Sequence, residues 1–176
     1  MTIGSARFMM PVPESQFHVR GKDRRINMLK EVHHTGLSVT DIDRSLELYR
    51  DILGFEIQWD ATIENIPEFG TVISLPGVKE RICMMRLNNC RIELFQFYEP
   101  KGKKIERRQC DLGYMHVAFV VDELEEICRK LREKGIEFYS KPQDLGIYEV
   151  VFFKGFDGET IELMRPKIGE FSKPKS

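Results

Sequence analysis

The sequence predicts an α+β fold built from two copies of one βαβββ module. Three observations carry this. The stretch Val32-His33-His34-Thr35-Gly36-Leu37-Ser38-Val39 returns as Met115-His116-Val117-Ala118-Phe119-Val120-Val121. Each copy runs into a helical pattern that ends near a glycine, Gly54 in the first and Gly135 in the second. One tripeptide then closes both halves, as Ile92-Glu93-Leu94 and Ile161-Glu162-Leu163. The copies stay in step from His34 and His116 through Val39 and Val121 to Ile42 and Leu124, slipping by one residue at the glycines.

A chain of 176 residues, 41% hydrophobic and 31% charged, is long enough to bury a real core as one domain or as two halves sharing one. With 27 basic against 28 acidic residues the net charge is -1, which argues against nucleic acid or an anionic membrane as partner. Cys83, Cys90, Cys110 and Cys128 form no CxxC pair and follow no secretory leader, so reduced thiols in a cytoplasmic setting are expected. No apolar run approaches the ~20 residues of a spanning helix.

Residues 1–28 read as an N-terminal extension with Pro11, Pro13 and a charged run from Arg20 to Arg25, and His18 within it as a solvated side chain. The first module covers 29–98. Alternation predicts a strand over 31–39. Ile42, Leu46, Tyr49 and Ile52 then fall at helical spacing, predicting a helix over 40–53 with Thr40 as N-cap. A strand at 55–63 precedes a loop over 64–77 that contains Pro67, Gly70, Pro76 and Gly77 around a short strand at 71–75. Strands at 81–87 and 90–98 flank Asn88-Asn89, a pair suited to a tight hairpin. Residues 99–112 are polar and basic, with Lys103, Lys104, Arg107 and Arg108, and read as a solvated linker. The second module, 113–166, repeats the order: strand 114–121, helix 122–134 opened by Asp122, then strands 136–139, 148–154 and 159–164. A C-terminal tail, 167–176, has no period.

The chemistry is expected in the matched positions. A glutamate between apolar neighbours on an interior strand is costly unless it is paired or binds a metal, and here it occurs twice, as Glu93 and Glu162. Alternation places each opposite its Ile and Leu neighbours. His34 shares a face with the small Gly36 and Ser38, and His116 with Ala118 and Val120, which leaves room for a ligand. Two imidazoles and two carboxylates converging from four strands would suit one divalent transition ion, Zn, Ni, Co, Fe or Mn. Packing alone could account for any one of these residues, but it would not demand the same types at matched positions. His33 falls on the opposite face and has no histidine counterpart.

The runs His34-Thr35-Gly36-Leu37-Ser38-Val39, Asp43-Arg44-Ser45-Leu46-Glu47-Leu48-Tyr49-Arg50-Asp51-Ile52-Leu53-Gly54-Phe55 and Phe156-Asp157-Gly158-Glu159-Thr160-Ile161-Glu162-Leu163 resemble the vicinal oxygen chelate superfamily. That group includes glyoxalase I, methylmalonyl-CoA epimerase, extradiol dioxygenases and drug-resistance proteins. The resemblance, over about residues 29–166, implies a curved, mostly antiparallel sheet around a metal-binding cleft. It implies His34, Glu93, His116 and Glu162 as metal ligands, with Glu93 and Glu162 also exchanging protons with substrate. This set is similar to that of bacterial-type glyoxalase I. Leu94-Phe95-Gln96-Phe97 and Gly155-Phe156-Asp157-Gly158 depart from that enzyme's usual motifs. The implied activity is proton transfer α to a carbonyl, as an epimerase, isomerase or glyoxalase-type lyase, on a small molecule with two vicinal oxygens. An Fe(II) extradiol-type dioxygenase and a non-catalytic drug- or metabolite-binding protein are the rival readings. A homodimer is expected, with the linker able to let the two halves of one chain pair with each other or swap between the chains of the dimer.

Overall fold

The computed structural model describes residues 29–167, so the expectations for the extension over 1–28, His18 included, and for the tail beyond 167 lie outside the described residues. The repeat lies within one compact unit that begins at His33. Its elements run β1 (Thr35–Ser38), α1 (Ile42–Tyr49), β2 (Glu56–Ile63), α2 (Pro67–Val72), β3 (Lys79–Leu87), β4 (Cys90–Glu99), β5 (His116–Val120), α3 (Leu124–Glu133), β6 (Gln143–Asp144), β7 (Tyr148–Lys154) and β8 (Thr160–Pro166). They form two four-stranded sheets ordered β1-β4-β3-β2 and β5-β8-β7-β6. In each, the first strand runs parallel to the last and the remaining neighbours are antiparallel. The α+β class and the repeated module are therefore present.

Local chemistry moved some boundaries. The residues expected to form a strand at 71–75 instead follow or close α2, because Pro67 at its first turn presets the helical φ and has no N–H to leave unpaired. Residues 136–139 make only a single bridge, Phe138 to Phe153, and the edge strand β6 comes later. Asp41, not Thr40, caps α1, its carboxylate accepting from the N–H groups of Asp43 at 2.9 Å and Arg44 at 3.3 Å. In α3 the cap is Glu123 rather than Asp122, with no side-chain capping bond. The Asn88-Asn89 hairpin forms as expected, with Asn88 at φ 50.

α1 and α3 pack on one face of their sheets, and the apolar residues join into a single core. Ile42, Leu46 and Tyr49 of α1 meet Cys83, Met85, Ile92 and Leu94; Leu124, Cys128 and Leu131 of α3 meet Val151, Phe153, Ile161 and Leu163. Phe55 from the first half meets Phe119 from the second edge to face, ring centroids 5.7 Å apart. Burying each such side chain contributes about 1.5–3 kcal/mol. All four cysteines are free, as expected. Among the described residues no helix is long and apolar enough to cross a membrane.

α1 and α3 are each also pinned to their sheets by one arginine. Arg81 of β3 grips Asp60 of β2 through Nε at 2.9 Å and Nη2 at 2.7 Å, and reaches Asp43 in the first turn of α1 at 2.9 Å. Arg165 of β8 does the same for Glu149 of β7 and Glu125 in the first turn of α3. The Arg81 hydrogen bond holds the Asp60 carboxyl below its ordinary range. Replacing Arg81 by Met is expected to cost about 1 kcal/mol at pH 7, since the guanidinium is mostly covered but the ion pairs are only partly desolvated. A depressed carboxyl gives stability that is present above its unfolded pKa and lost as pH falls through the folded one. The gap between wild type and Arg81→Met in urea melts should therefore close at pH values below the ordinary aspartate range.

Candidate metal centre

The repeat is visible in the strand register. Gly36 of β1 stands opposite Glu93 of β4, and Ala118 of β5 opposite Glu162 of β8, both pairs in parallel ladders. His34 and His116 lie two residues earlier, so in each half an imidazole meets a carboxylate along the same diagonal. His34 Nε2 is 3.0 Å from Glu93 Oε2, and His116 Nε2 is 3.1 Å from Glu162 Oε2. Gly36, Ser38, Ala118 and Val120 are all exposed, so the strip between the ligand candidates is open to a small molecule. Glu93 is only 8% exposed, which for a carboxylate calls for a partner.

The four predicted residues thus come together as two pairs. Among the described residues, no three His, Cys, Asp or Glu side chains gather closely enough to share one ion. Each pair stands at ion-pair distance within its own half. The donor types, imidazole nitrogen with carboxylate oxygen, also suit a divalent transition ion.

The surroundings of the two imidazoles differ. His33, set aside as a ligand on alternation, sits with its Nδ1 2.8 Å from His34 Nδ1. One ring must then donate to the other, and His34 Nε2 stays turned to Glu93. Adjacency in the sequence was the available signal for this role. His116 is held edge-on by Phe152, ring centroids 5.1 Å apart, and its Nδ1 is buried without a hydrogen-bond partner among the described residues.

Across the first sheet the ligand row continues from Gly36 and Glu93 to Met84 of β3 and Trp59 of β2. The next row carries Ser38, Phe95, Ile82 and Ala61, and Phe95 stacks on Phe97 with an interplanar angle of 12°. Phe95 can lie against β1 because Gly36 has no side chain; a Cβ there would stand 3.2 Å from the ring. A cavity of about 730 Å³ opens beside these strands, lined by Gly36, Ser38, Phe97, Tyr114 and Thr160 and edged by the basic linker residue Lys104.

Residues 31–163 match the family model described as the glyoxalase/bleomycin resistance protein/dioxygenase superfamily, which spans well over half of the chain. The chain belongs to this superfamily. A glyoxalase family protein from Bacillus cereus has the same fold, with a TM-score of 0.72 at 24% identity over 81% of this chain and 97% of that one. The lactoylglutathione lyase of Escherichia coli O157:H7 is 28% identical over 136 residues, 76% of this chain and 91% of its own. Metallothiol transferase FosB of Staphylococcus haemolyticus is 27% identical over 139 residues, 77% of this chain and 84% of its own. One relative is named as a lyase and the other as a transferase, so superfamily membership fixes the scaffold and leaves the reaction to the site.

Proposed function

We propose that the protein is a divalent-metal-dependent enzyme that transfers a proton α to a carbonyl in a small metabolite with two vicinal oxygens. Isomerisation, epimerisation and glyoxalase-type lyase chemistry share that step. The repeated His–Glu diagonal carries the reading, since packing has no need for the same two ionisable side chains 3.0 and 3.1 Å apart in both halves. His34, Glu93, His116 and Glu162 would hold the ion. Bound there, it would polarise the two substrate oxygens and lower the cost of the enediolate or enolate left when the proton departs.

The chain's own groups supply the rest. A carboxylate of Glu93 or Glu162 accepts the α-proton, and return by the same or the opposite carboxylate separates isomerisation from epimerisation. Apolar walls, Phe95 and Phe97 among them, keep water from the carbanionic carbon. Because the pairs of one chain stay separate, a homodimer that joins the His34/Glu93 pair of one copy to the His116/Glu162 pair of another fits the donor set best. Free cysteines agree with a cytoplasmic setting.

The test combines metal analysis of the purified protein with deuterium wash-in from heavy water, followed by NMR, into α-hydroxyketones and α-oxo thiohemiacetals. Stoichiometric transition metal together with exchange that Glu162→Gln reduces by about 100-fold or more is the expected result. Oxygen uptake with catechols and no exchange would favour the dioxygenase reading instead. Protein without bound divalent ion under any loading condition would sink both.

A further inference from the structure

The linker between the halves is a cavity wall as well as a connection. Its residues 101–110 are exposed, as those of a solvated segment would be, yet the segment is fastened to the second half. Gln109 Nε2 donates to Thr160 Oγ1 at 2.9 Å and to the Tyr139 hydroxyl at 3.1 Å, and the Arg108 guanidinium grips Asp111 at 3.0 Å. Lys104 lies against the turn before β8, where a Cβ at Gly158 would stand 3.5 Å from its Cε. Lys101, Lys103, Lys104, Arg107 and Arg108 all line the cavity of about 730 Å³. That volume falls within the roughly 300–1,000 Å³ of small-molecule sites.

The charges of this wall are not balanced from within. Asp111, Asp157 and Glu159 share the lining, but each is already committed to the fold. Asp111 holds Arg108, Asp157 accepts from the N–H and hydroxyl of Thr40, and Glu159 accepts from the Tyr49 hydroxyl. Burial also pushes the Glu159 carboxyl above its ordinary value, towards the neutral form. Lys101, Lys103, Lys104 and Arg107, by contrast, make no ion pair among the described residues. Where a cation serves the fold, the chain does otherwise: Arg81 and Arg165 are each given two carboxylates. Like charges this close in sequence repel one another, and an anion among them removes that cost. The same cavity carries Phe97, Tyr98, Ile105 and Tyr114, of which Ile105 and Tyr114 remain 68% and 56% exposed. A ligand that meets both features has an anionic head and an apolar body.

We propose that this cavity is a binding site for a small organic oxyanion, a carboxylate or phosphate on an aromatic or aliphatic body, and that the linker cations recognise its head. Lysine ammonium groups act there as mobile point charges, and Arg107 can take two oxygens at once. The body covers the apolar surface of Ile105 and Tyr114. The cavity adjoins both His–Glu pairs through the strand ladders, since Gly36 in its lining stands opposite Glu93 and Thr160 opposite His116. Resting on the metal-dependent reading above, the bound anion is the substrate's own charged end, carried on the same molecule as its vicinal oxygens. The site itself needs no metal.

Phenyl phosphate, benzoate, benzyl alcohol and inorganic phosphate serve as probes, titrated by calorimetry into the full chain, once loaded with metal and once stripped by a chelator. The stripped chain should bind at least one of the two organic anions about 10-fold or more tightly than the neutral alcohol, and the tighter of them names the head group. Inorganic phosphate, without a body, should bind more weakly than phenyl phosphate. Lys104→Gln/Arg107→Gln should weaken the organic anion by about 10-fold and leave the alcohol unchanged. Removing two exposed charges from α3 instead, in Lys130→Gln/Lys134→Gln, should alter anion binding by less than about 2-fold. Equal binding of anions and alcohol, or equal weakening by the two double variants, overturns the proposal, the second outcome by reducing it to net charge. Anion binding that vanishes when the metal is stripped also overturns it, because the anion would then be a ligand of the ion. Anion binding by a chain that takes up no divalent ion would uphold this site and sink the metal-dependent reading alone.

Discussion

Chains carrying His34→Ala and chains carrying His116→Ala should each lose tight divalent-ion binding, and the two refolded together in equal amounts should regain about a quarter of the wild-type sites. The loss follows from removing one of four ligands. Even residues that only orient a ligand cost 10–100-fold in metal affinity, so about 100-fold or more is expected here. The recovery follows from symmetry. If each site takes the His34/Glu93 pair from one copy and the His116/Glu162 pair from the other, half of the random dimers are mixed. A mixed dimer holds one site with both defects and one with none. Counting tight sites by titration with Zn²⁺ or Ni²⁺ separates the arrangements without knowledge of the substrate. No recovery on mixing would show that four ligands from one chain make each site, or that the pairs do not act together. Size-exclusion chromatography with light scattering gives the independent check, because a chain that stays monomeric at micromolar concentration cannot share a site.

The fold was legible because the sequence states it twice. His34 and Glu93 recur as His116 and Glu162 on the same diagonal, and Ile42, Leu46 and Tyr49 find counterparts in the apolar face of α3. What the sequence hid were features set by single interactions across the fold. Thr40 reads as a helix cap, but its hydroxyl and N–H both go to Asp157 at 2.6 and 2.9 Å, and Asp41 takes over the cap. Pro67 reads as a loop signal, although at the first turn of a short helix it is equally at home. Glu80 sits between Lys79 and Arg81, so charge pattern alone makes it a solvated strand residue, yet it is 0% exposed. Alternation sets His33 on the face opposite His34, but strand geometry governs only residues inside a strand. β1 begins at Thr35, and the backbone before it is free to turn both imidazoles together.

The turn at 155–159 carries the other large expected effect, because it fastens the second half to α1. Thr40 binds Asp157, the Arg44 guanidinium lies 4.5 Å from the centre of the Phe156 ring, and the Tyr49 hydroxyl donates to Glu159 Oε1 at 3.1 Å. Tyr49 is fully buried, so Glu159 is the partner its hydroxyl depends on. Gly155 makes room for that carboxylate: a Cβ at this position would stand 2.0 Å from Glu159 Oε1 and 2.6 Å from Oε2. Gly155→Ala should therefore eject the carboxylate, leave the Tyr49 hydroxyl unpaired and cost about 1–3 kcal/mol. The Gly155→Ala/Glu159→Ala double variant, with no carboxylate to displace, should add almost nothing to the cost of Glu159→Ala alone. The pH dependence has a defined sign. Burial pushes the Glu159 carboxyl above its ordinary value, so its native environment contributes most below the unfolded pKa and loses that contribution as pH rises through the folded one. Once the carboxyl is ejected into solvent this dependence vanishes, so the deficit of Gly155→Ala should be larger near pH 4 than near pH 8. Urea melts of the wild type, both single variants and the double variant at the two pH values measure it; a full additive cost in the double variant would show that Gly155 serves the turn's backbone and not the Glu159 contact.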